Sequence, residues 1–253
     1  MKVVGIIPAR LQSSRLPEKL LLHETGRPLL QYVWEVAAAT SALDGVIIAT
    51  DSEQIFDVVQ SFGGHAEMTK DHPSGTDRVA EIARRCCPDA EIIVNLQGDE
   101  PELEATTIAA LVDAICSSDT EMATVAAPIR EPEIVENPDC VKVVVDDNGR
   151  ALYFSRSAIP HSRDASVSEM LVTAPPSPWL LHVGLYAYRR DFLLKLTSMP
   201  PSSLEQFEKL EQLRALQAGA RIAVAVVPQA AVGIDTAEDY AAFVQRQLKS
   251  DRC

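Results

Sequence analysis

An apolar run, Val3 to Ile7, stops at Pro8 and is followed by Ala9, Arg10, Leu11, Gln12, Ser13, Ser14, Arg15, Leu16, Pro17, Glu18 and Lys19. Three cations and two serines therefore crowd a segment that contains no glycine. Walker loops and G-x-G-x-x-G turns need glycine so that backbone amides can approach phosphate, and neither motif exists here. A phosphate site in this segment would depend on side-chain charge instead, with arginine making forked contacts and Lys19 acting as a point charge. The competing reading is a solvated basic loop, and spacing alone does not separate the two.

Carboxylates recur at comparable places. Asp99 follows the apolar run 92–96, with Gly98 before it and Pro101 ending the turn. A carboxylate presented there can ligate Mg²⁺, which takes few protein oxygens and bridges to substrate phosphates. Asp235 follows the run 222–227 after a short connection and can supply a second ligand. The plainer roles are a turn for Asp99 and a helix cap for Asp235. In Lys70 to Arg78, Gly75 permits close backbone approach, Ser74 and Thr76 offer hydroxyls, and Arg78 falls in the first turn of a helix. That suits a base edge or a phosphate at a helix N-terminus; a plain capped helix start explains Thr76 and Asp77 equally well but not Arg78, since a cation in the first turn opposes the helix dipole. At 100° per residue Glu211 projects between Leu204 and Phe207, in an apolar sector where a carboxylate needs a ligand or a partner such as Arg214. His182 and Tyr186 share one face of a strand, as satisfied core or as a site.

The elements that must position these residues alternate, strand then helix, through the first half, the signature of a mostly parallel sheet. Strands are expected at 3–8, 46–50, 66–68, 92–96 and 122–128, with helices at 28–39, 54–62, from about 77, and at 106–116. Asp51-Ser52 reads as the cap of the second helix. From 129 the pattern changes. An antiparallel hairpin is expected over 141–155, with Asn148-Gly149 supplying a type I′ turn. Residues 160–178 read as an aperiodic loop, 181–188 as a strand, and 203–217 as one helix with a Ser203/Gln206 capping box. A strand at 222–227 and a helix at 236–248 close the chain. The fold class expected is α/β, a doubly wound, mostly parallel sheet over 1–128 and 191–253 with a smaller antiparallel lobe at 129–190. In such sheets ligands sit beyond the carboxyl ends of the strands, where the residues singled out above fall.

The chain has 253 residues with 36 acidic against 23 basic side chains, a net charge of −13. With 47% hydrophobic residues it can bury a sizeable core. An acidic balance of this size argues against nucleic acid or an anionic membrane surface as main partner. The excess is uneven: Lys2, Arg10, Arg15, Lys19 and Arg27 against Glu18 and Glu24 leave the first 28 residues at +3 and the remainder at −16. Five cysteines without C-x-x-C spacing suit a reducing compartment, and no apolar run approaches a signal or a membrane span, so a cytoplasmic protein is expected.

Read together, I-I-P-A-R at 6–10, R-L-P-x-K at 15–19, S-G-T-D-R at 74–78, N-L-Q-G-D-E-P at 95–101, Y-F-S-R-x-x-I-P at 153–160, H-V-G-L-Y-A-Y-R at 182–189, L-E-Q-L-R at 210–214 and G-I-D-T-A-E-D at 233–239 resemble the 3-deoxy-manno-octulosonate (Kdo) cytidylyltransferases. The blocks run in order over nearly the whole chain. The resemblance implies transfer of CMP from CTP to Kdo with release of pyrophosphate, for lipopolysaccharide synthesis, with Mg²⁺ and a homodimer. By the same resemblance Pro8, Ala9, Arg10, Arg15, Lys19, Ser74, Gly75, Arg78 and Gly98 would bind the nucleotide, with Arg10, Arg15 and Lys19 on its phosphates. Asp99 and Asp235 would bind Mg²⁺, and with Arg10 and Lys19 would form the catalytic group. Gln97, Arg156, His182, Tyr186, Glu211 and Gln212 would hold the sugar acid. Two positions depart from the family's R-L-P-G-K-P: Glu18 stands for its glycine and Leu20 for its second proline. A cytidylyltransferase for 8-amino-Kdo or a sialic acid, and a nucleotide-binding regulator without chemistry, are the alternatives. The missing glycine fingerprint disfavours a dehydrogenase.

Overall fold

The computed structural model describes residues 1–13, 15–173 and 176–250, so Ser14 of the basic loop and Cys253 lie outside the described residues. In chain order the elements are β1 (Val3–Ala9), α1 (Leu29–Ala39), β2 (Gly45–Thr50), α2 (Glu53–Ser61), β3 (Ala66–Met68), α3 (Gly75–Arg85), β4 (Ile92–Asn95), α4 (Ala105–Cys116), β5 (Met122–Pro128), α5 (Pro132–Glu136), β6 (Lys142–Val145), β7 (Ala151–Ser155), α6 (Val167–Thr173), β8 (Leu180–Arg189), α7 (Arg190–Leu196), α8 (Ser203–Glu208), α9 (Gln212–Gln217), β9 (Ile222–Val226) and α10 (Ala237–Ser250). They form two compact units, Met1–Ala109 with Ala231–Cys253, and Ala110–Ala230. No helix among the described residues is long and apolar enough to cross a membrane.

In the first unit the strands run β3-β2-β1-β4, all parallel, with Val4 facing Gly45 and Val3 facing Ile92 in register. Strand β1 buries nearly every residue, as a parallel strand covered on both faces must, and that is why it reads as an unbroken apolar run. The chain leaves β1 toward β2 on one side and later enters β4 on the other, so the carboxyl ends of β1 and β4 flank the topological switch point. A second apolar cluster joins Leu29 and Tyr32 of α1 to Ile234, Tyr240 and Phe243, with Leu16 and Leu22 packed against it. The Tyr32 and Phe243 rings meet edge-on at 5.2 Å. This cluster anchors both the basic loop, through Leu16, and the segment that carries Asp235.

In the second unit β5 pairs antiparallel with β8 and parallel with β9, while β6 pairs antiparallel with β7 and β8. The expected hairpin is present, but its turn is not type I′. Only Gly149 takes a positive φ, 72°, and the Asp146 carboxylate accepts from the amides of Asn148 and Arg150. Farther along the ladder, a register shift at Val144/Val145 leaves Leu152 of β7 as the extra residue, a bulge separate from the turn. Residues 160–178 are not all loop: α6 forms within them, and Val167, Met170 and Leu171 pack on a cluster of Ile129, Val135 and Trp179. The 203–217 helix is two helices. Lys209 takes a left-handed conformation, φ 56° and ψ 44°, ending α8, and the capping box belongs to Ser202 and Glu205, one residue before the expected pair.

Candidate functional site

A cavity of about 320 Å³ opens at the carboxyl ends of β1 and β4. Three segments line it: Pro8, Ala9 and Arg10 with Lys19 and Leu20; His72 to Gly75 with Arg78; and Gln97, Gly98 and Asp99. Ten of the residues singled out in the sequence therefore share one wall system, and Arg15 and Asp235 join it through ion pairs. Gly98 is closely packed: a Cβ there would meet the side chains of Leu30, Ile7 and Leu20 at 3.2–3.4 Å, so any larger residue would push them back. Leu20, which replaces a family proline, lies in that contact. Glu18, which replaces a family glycine, is exposed, lies off the cavity wall and holds φ 51°, a left-handed conformation that glycine adopts at no steric cost.

The buried ammonium of Lys19 lies 2.6 Å from Asp99 Oδ2 and 3.1 Å from Asp235 Oδ1, and Arg15 reaches the other Asp235 oxygen at 3.0 Å. A backbone hydrogen bond from Ile234 N–H to the Asp99 carbonyl, 2.9 Å, holds the two aspartate segments together. Asp235 is not the cap of α10. Thr236 Oγ1 accepts from the Asp239 amide, and the Asp239 carboxylate accepts from the amides of Asp235 and Thr236, so the Asp235 side chain is left to the ion pairs. Two hard oxygen donors within hydrogen-bond distance of one nitrogen suit a magnesium ion, which uses one or two carboxylates and completes its shell with water and phosphate. No group of three or more His, Cys, Asp or Glu forms a metal cluster among the described residues.

Glu100, which sequence reasoning passed over, stands beside them. Its Oε2 is covered and without a hydrogen-bond partner among the described residues. Burial, and then the charge of Asp99, push its carboxyl up to about 8. At neutral pH it is mostly protonated and adds little to the negative charge of the aspartate pair.

Ser74 caps α3, its Oγ accepting from the Asp77 amide at 3.1 Å. Arg78 is 4% exposed, and its guanidinium reaches Asp51 at 2.7 Å, the Thr69 hydroxyl and the Lys70 carbonyl. Asp51 is the partner that offsets a cation in the first turn of a helix. By its position it reads as a cap of α2 together with Ser52, but Ser52 alone accepts from the Ile55 amide. Asp51 was detectable only from its place just beyond the carboxyl end of β2.

The second unit gathers its own polar group. His182 and Tyr186 do share a face of β8, their rings 5.5 Å apart, and Phe154 meets His182 edge-on at 5.0 Å. Burial pushes the His182 imidazolium down to about 3. Burial, and then the charge of Glu211, raise the Tyr186 phenol above its ordinary value. Glu211 reaches this neighbourhood from the junction between α8 and α9. The helical-wheel placement does not hold, since the wheel is broken at Lys209 and its supposed neighbour Phe207 is 92% exposed. Arg214, the suggested partner of Glu211, binds both oxygens of Glu205. Gln212 is buried, and its Nε2 has no hydrogen-bond partner among the described residues. Arg156 is held through its guanidinium by the carbonyls of Glu208 and Pro138. The buried Lys142 binds the carbonyls of Asn137, Cys140 and Arg156, a positioning role with no signal in the sequence.

Residues 4–222 match the family described as cytidylyltransferase. A 3-deoxy-manno-octulosonate cytidylyltransferase of Rhodopirellula baltica is 48% identical over 248 residues, 97% of this chain and 98% of that one. One from Aliivibrio salmonicida is 48% identical over 242 residues, 94% and 96% of the two chains. Among solved structures, a CMP:2-keto-3-deoxy-manno-octonic acid synthetase complexed with CTP superimposes with a TM-score of 0.90 at 39% identity, covering 99% of this chain and 100% of that one. A 4-diphosphocytidyl-2C-methyl-D-erythritol synthase from Anaerococcus prevotii shares the fold, with a TM-score of 0.63 at 14% identity over 98% of each chain.

Proposed function

The chain belongs to the cytidylyltransferase family, and from that premise we propose that it couples CTP to Kdo, giving CMP-Kdo and pyrophosphate for lipopolysaccharide synthesis. The observation that carries the proposal is the cavity at the switch point of the first unit, where Arg10, Lys19, Ser74, Arg78 and Asp99 stand on one wall system. Arg10, Arg15 and Lys19 take the triphosphate as side-chain cations, in a segment that has no glycine-rich phosphate loop. Ser74, Gly75 and Arg78 take the nucleotide at the start of α3, where Gly75 leaves the Pro8 ring in contact distance of any added Cβ. Arg156, His182, Tyr186, Glu211 and Gln212 of the second unit are assigned to the sugar acid.

The reaction is phosphoryl-type transfer: the anomeric hydroxyl of the sugar attacks the α-phosphorus in line and pyrophosphate leaves. Catalysis of this kind rests on positioning and charge neutralisation more than on covalent chemistry by the protein. Asp99 and Asp235 would hold Mg²⁺, whose positive charge polarises phosphate oxygens. Lys19, bonded to both carboxylates, is placed to exchange an aspartate for a phosphate oxygen without leaving the cavity. We further propose a homodimer working in the cytoplasm, tested by sedimentation of the purified chain and by cell fractionation.

The deciding experiment is pyrophosphate release by purified protein with Mg²⁺, each of the four nucleoside triphosphates, and Kdo or its 8-amino analogue. Turnover with CTP and Kdo is expected. No turnover with CTP and either sugar overturns the proposal.

A further inference from the structure

Thr124 of β5 is fully buried, and its hydroxyl oxygen lies 2.8 Å from the Leu185 carbonyl, 3.2 Å from the Val183 carbonyl and 3.0 Å from His182 Nε2. The crowding comes from the sheet register. Thr124 faces Tyr186 but Val125 faces Val183, so β8 bulges by two residues opposite this point and turns two carbonyls onto one side chain. A hydroxyl has one proton and two lone pairs. Were that proton given to His182 Nε2, the oxygen would face two carbonyl oxygens with no hydrogen between them. The arrangement without such repulsion has Thr124 donating to a carbonyl, the nearer being that of Leu185. Its lone pair then accepts from Nε2–H.

We propose that Thr124 is a positioning residue that fixes His182 as the Nε2–H tautomer, so that Nδ1 presents a lone pair and recognises a donor hydroxyl of the substrate. Nδ1 has no hydrogen bond to any described residue, and Phe154 and Tyr186 pack on the ring and oppose its reorientation. Burial keeps the imidazole neutral across the working pH range, which preserves the lone pair. A neutral acceptor repels a carboxylate, so within the polar group of the second unit His182 selects a sugar hydroxyl and leaves the acid group to another residue. The selection of a sugar rests on the function proposed above; the tautomer does not.

The test is ¹⁵N NMR of histidine-labelled protein in the wild type, in Thr124→Val, which removes the hydroxyl at nearly constant shape, and in Thr124→Ser, which keeps it. The wild type should show His182 with a protonated Nε2 and an unprotonated Nδ1 that does not titrate between pH 6 and 8. The valine variant should lose that preference and the serine variant recover it. In steady-state kinetics, valine should raise the sugar KM on the order of tenfold, the scale of one lost substrate hydrogen bond, with the CTP KM unchanged, and serine should restore it. A wild-type His182 protonated on Nδ1, or one that titrates in that range, overturns the proposal, as does a valine variant with unaltered ¹⁵N signals and sugar KM. Should valine fail to fold, the wild-type spectrum decides. Because the spectrum needs no substrate, failure of the tautomer assignment is distinguishable from failure to turn over Kdo.

Discussion

Replacing Asp51 by asparagine isolates one contact that the cavity depends on. Asparagine keeps the shape and removes the charge that meets Arg78 at 2.7 Å. Two unit charges about 4 Å apart attract by about 4 kcal/mol at an effective dielectric of 20. The Asp51 side chain is 27% exposed, and Arg78 keeps the Thr69 hydroxyl and the Lys70 carbonyl, so we discount that to a loss of about 2 kcal/mol. For a chain of this size that corresponds to a fall in Tm of about 4–8 °C. The freed guanidinium can leave the cavity wall, and the affinity for CTP should weaken roughly tenfold. The assays are thermal denaturation and calorimetric titration with CTP. Asp57→Asn, on the exposed face of α2, makes the same charge change and should move stability by no more than about 0.5 kcal/mol. If Asp51→Asn melts and binds CTP like the wild type, Arg78 does not owe its position to Asp51, and the account of that wall is wrong.

Other substitutions probe the remaining parts of the site. Asp99→Ala should cost several orders of magnitude in kcat while CTP binding partly survives; near-wild-type turnover in the pyrophosphate assay would remove Asp99 from the chemistry. Glu211→Gln should chiefly impair sugar use, and an unchanged sugar KM and kcat would make it a structural residue. Glu18→Gly relieves a left-handed backbone at an exposed site and should add about 1 kcal/mol, seen as a Tm rise of roughly 2–4 °C with CTP affinity unchanged. His182 has a depressed pKa in the folded chain, so between pH 6.5 and the carboxylate range the unfolded chain binds a proton that the folded chain refuses. Stability from this group is full above about 6.5 and is lost as the pH falls, approaching 1.4 kcal/mol per pH unit once the unfolded histidine is protonated, and a flat denaturation midpoint from pH 6.5 to 5 contradicts it.

The parallel half of the fold was legible because its strands are buried on both faces and its helices begin with ordinary caps, Ser52 and Ser74 among them. The cavity residues were legible because such sheets bind ligands just beyond their strands. What escaped was set by tertiary contact. The 203–217 segment has helical periodicity throughout, and nothing in residue type announces that Lys209 turns left-handed. The left-handed turn breaks the helical wheel, so Glu211 does not project between Leu204 and Phe207. Asp51 and Ser52 are both good caps, and local pattern could not say that Ser52 would suffice and that Asp51 would serve a helix 27 residues on. Trp179 organises residues 160–178 by packing with Ile129 and Val135, a contact that aperiodic sequence does not encode.

The charge distribution shows the same effect of folding on a count. The first 28 residues carry a surplus of three positive charges, which looks like a reserve for an anionic substrate. In the folded chain most of it is already committed. Arg27 pairs with Glu35 and stacks on Tyr32, away from the cavity. Lys19 lies between Asp99 and Asp235, Arg15 holds Asp235, and Arg78 holds Asp51. At the cavity Arg10, Arg15, Lys19 and Arg78 thus face three carboxylates, and only Arg10 is without an ion pair among the described residues. A nucleoside triphosphate brings about four negative charges to a wall that offers little net positive charge, so affinity cannot come from the protein's cations as they stand. Either the aspartates give up Lys19 and Arg15 to the phosphates or a divalent cation enters with the nucleotide. The two carboxylates are where both would happen, since Asp99 and Asp235 would hold the cation and they are also the ion-pair partners of Lys19 and Arg15. CTP affinity should therefore rise steeply with Mg²⁺ in the wild type and lose most of that dependence in Asp99→Asn/Asp235→Asn, where Lys19 and Arg15 are free from the outset; an equal Mg²⁺ dependence in both proteins would refute the linkage.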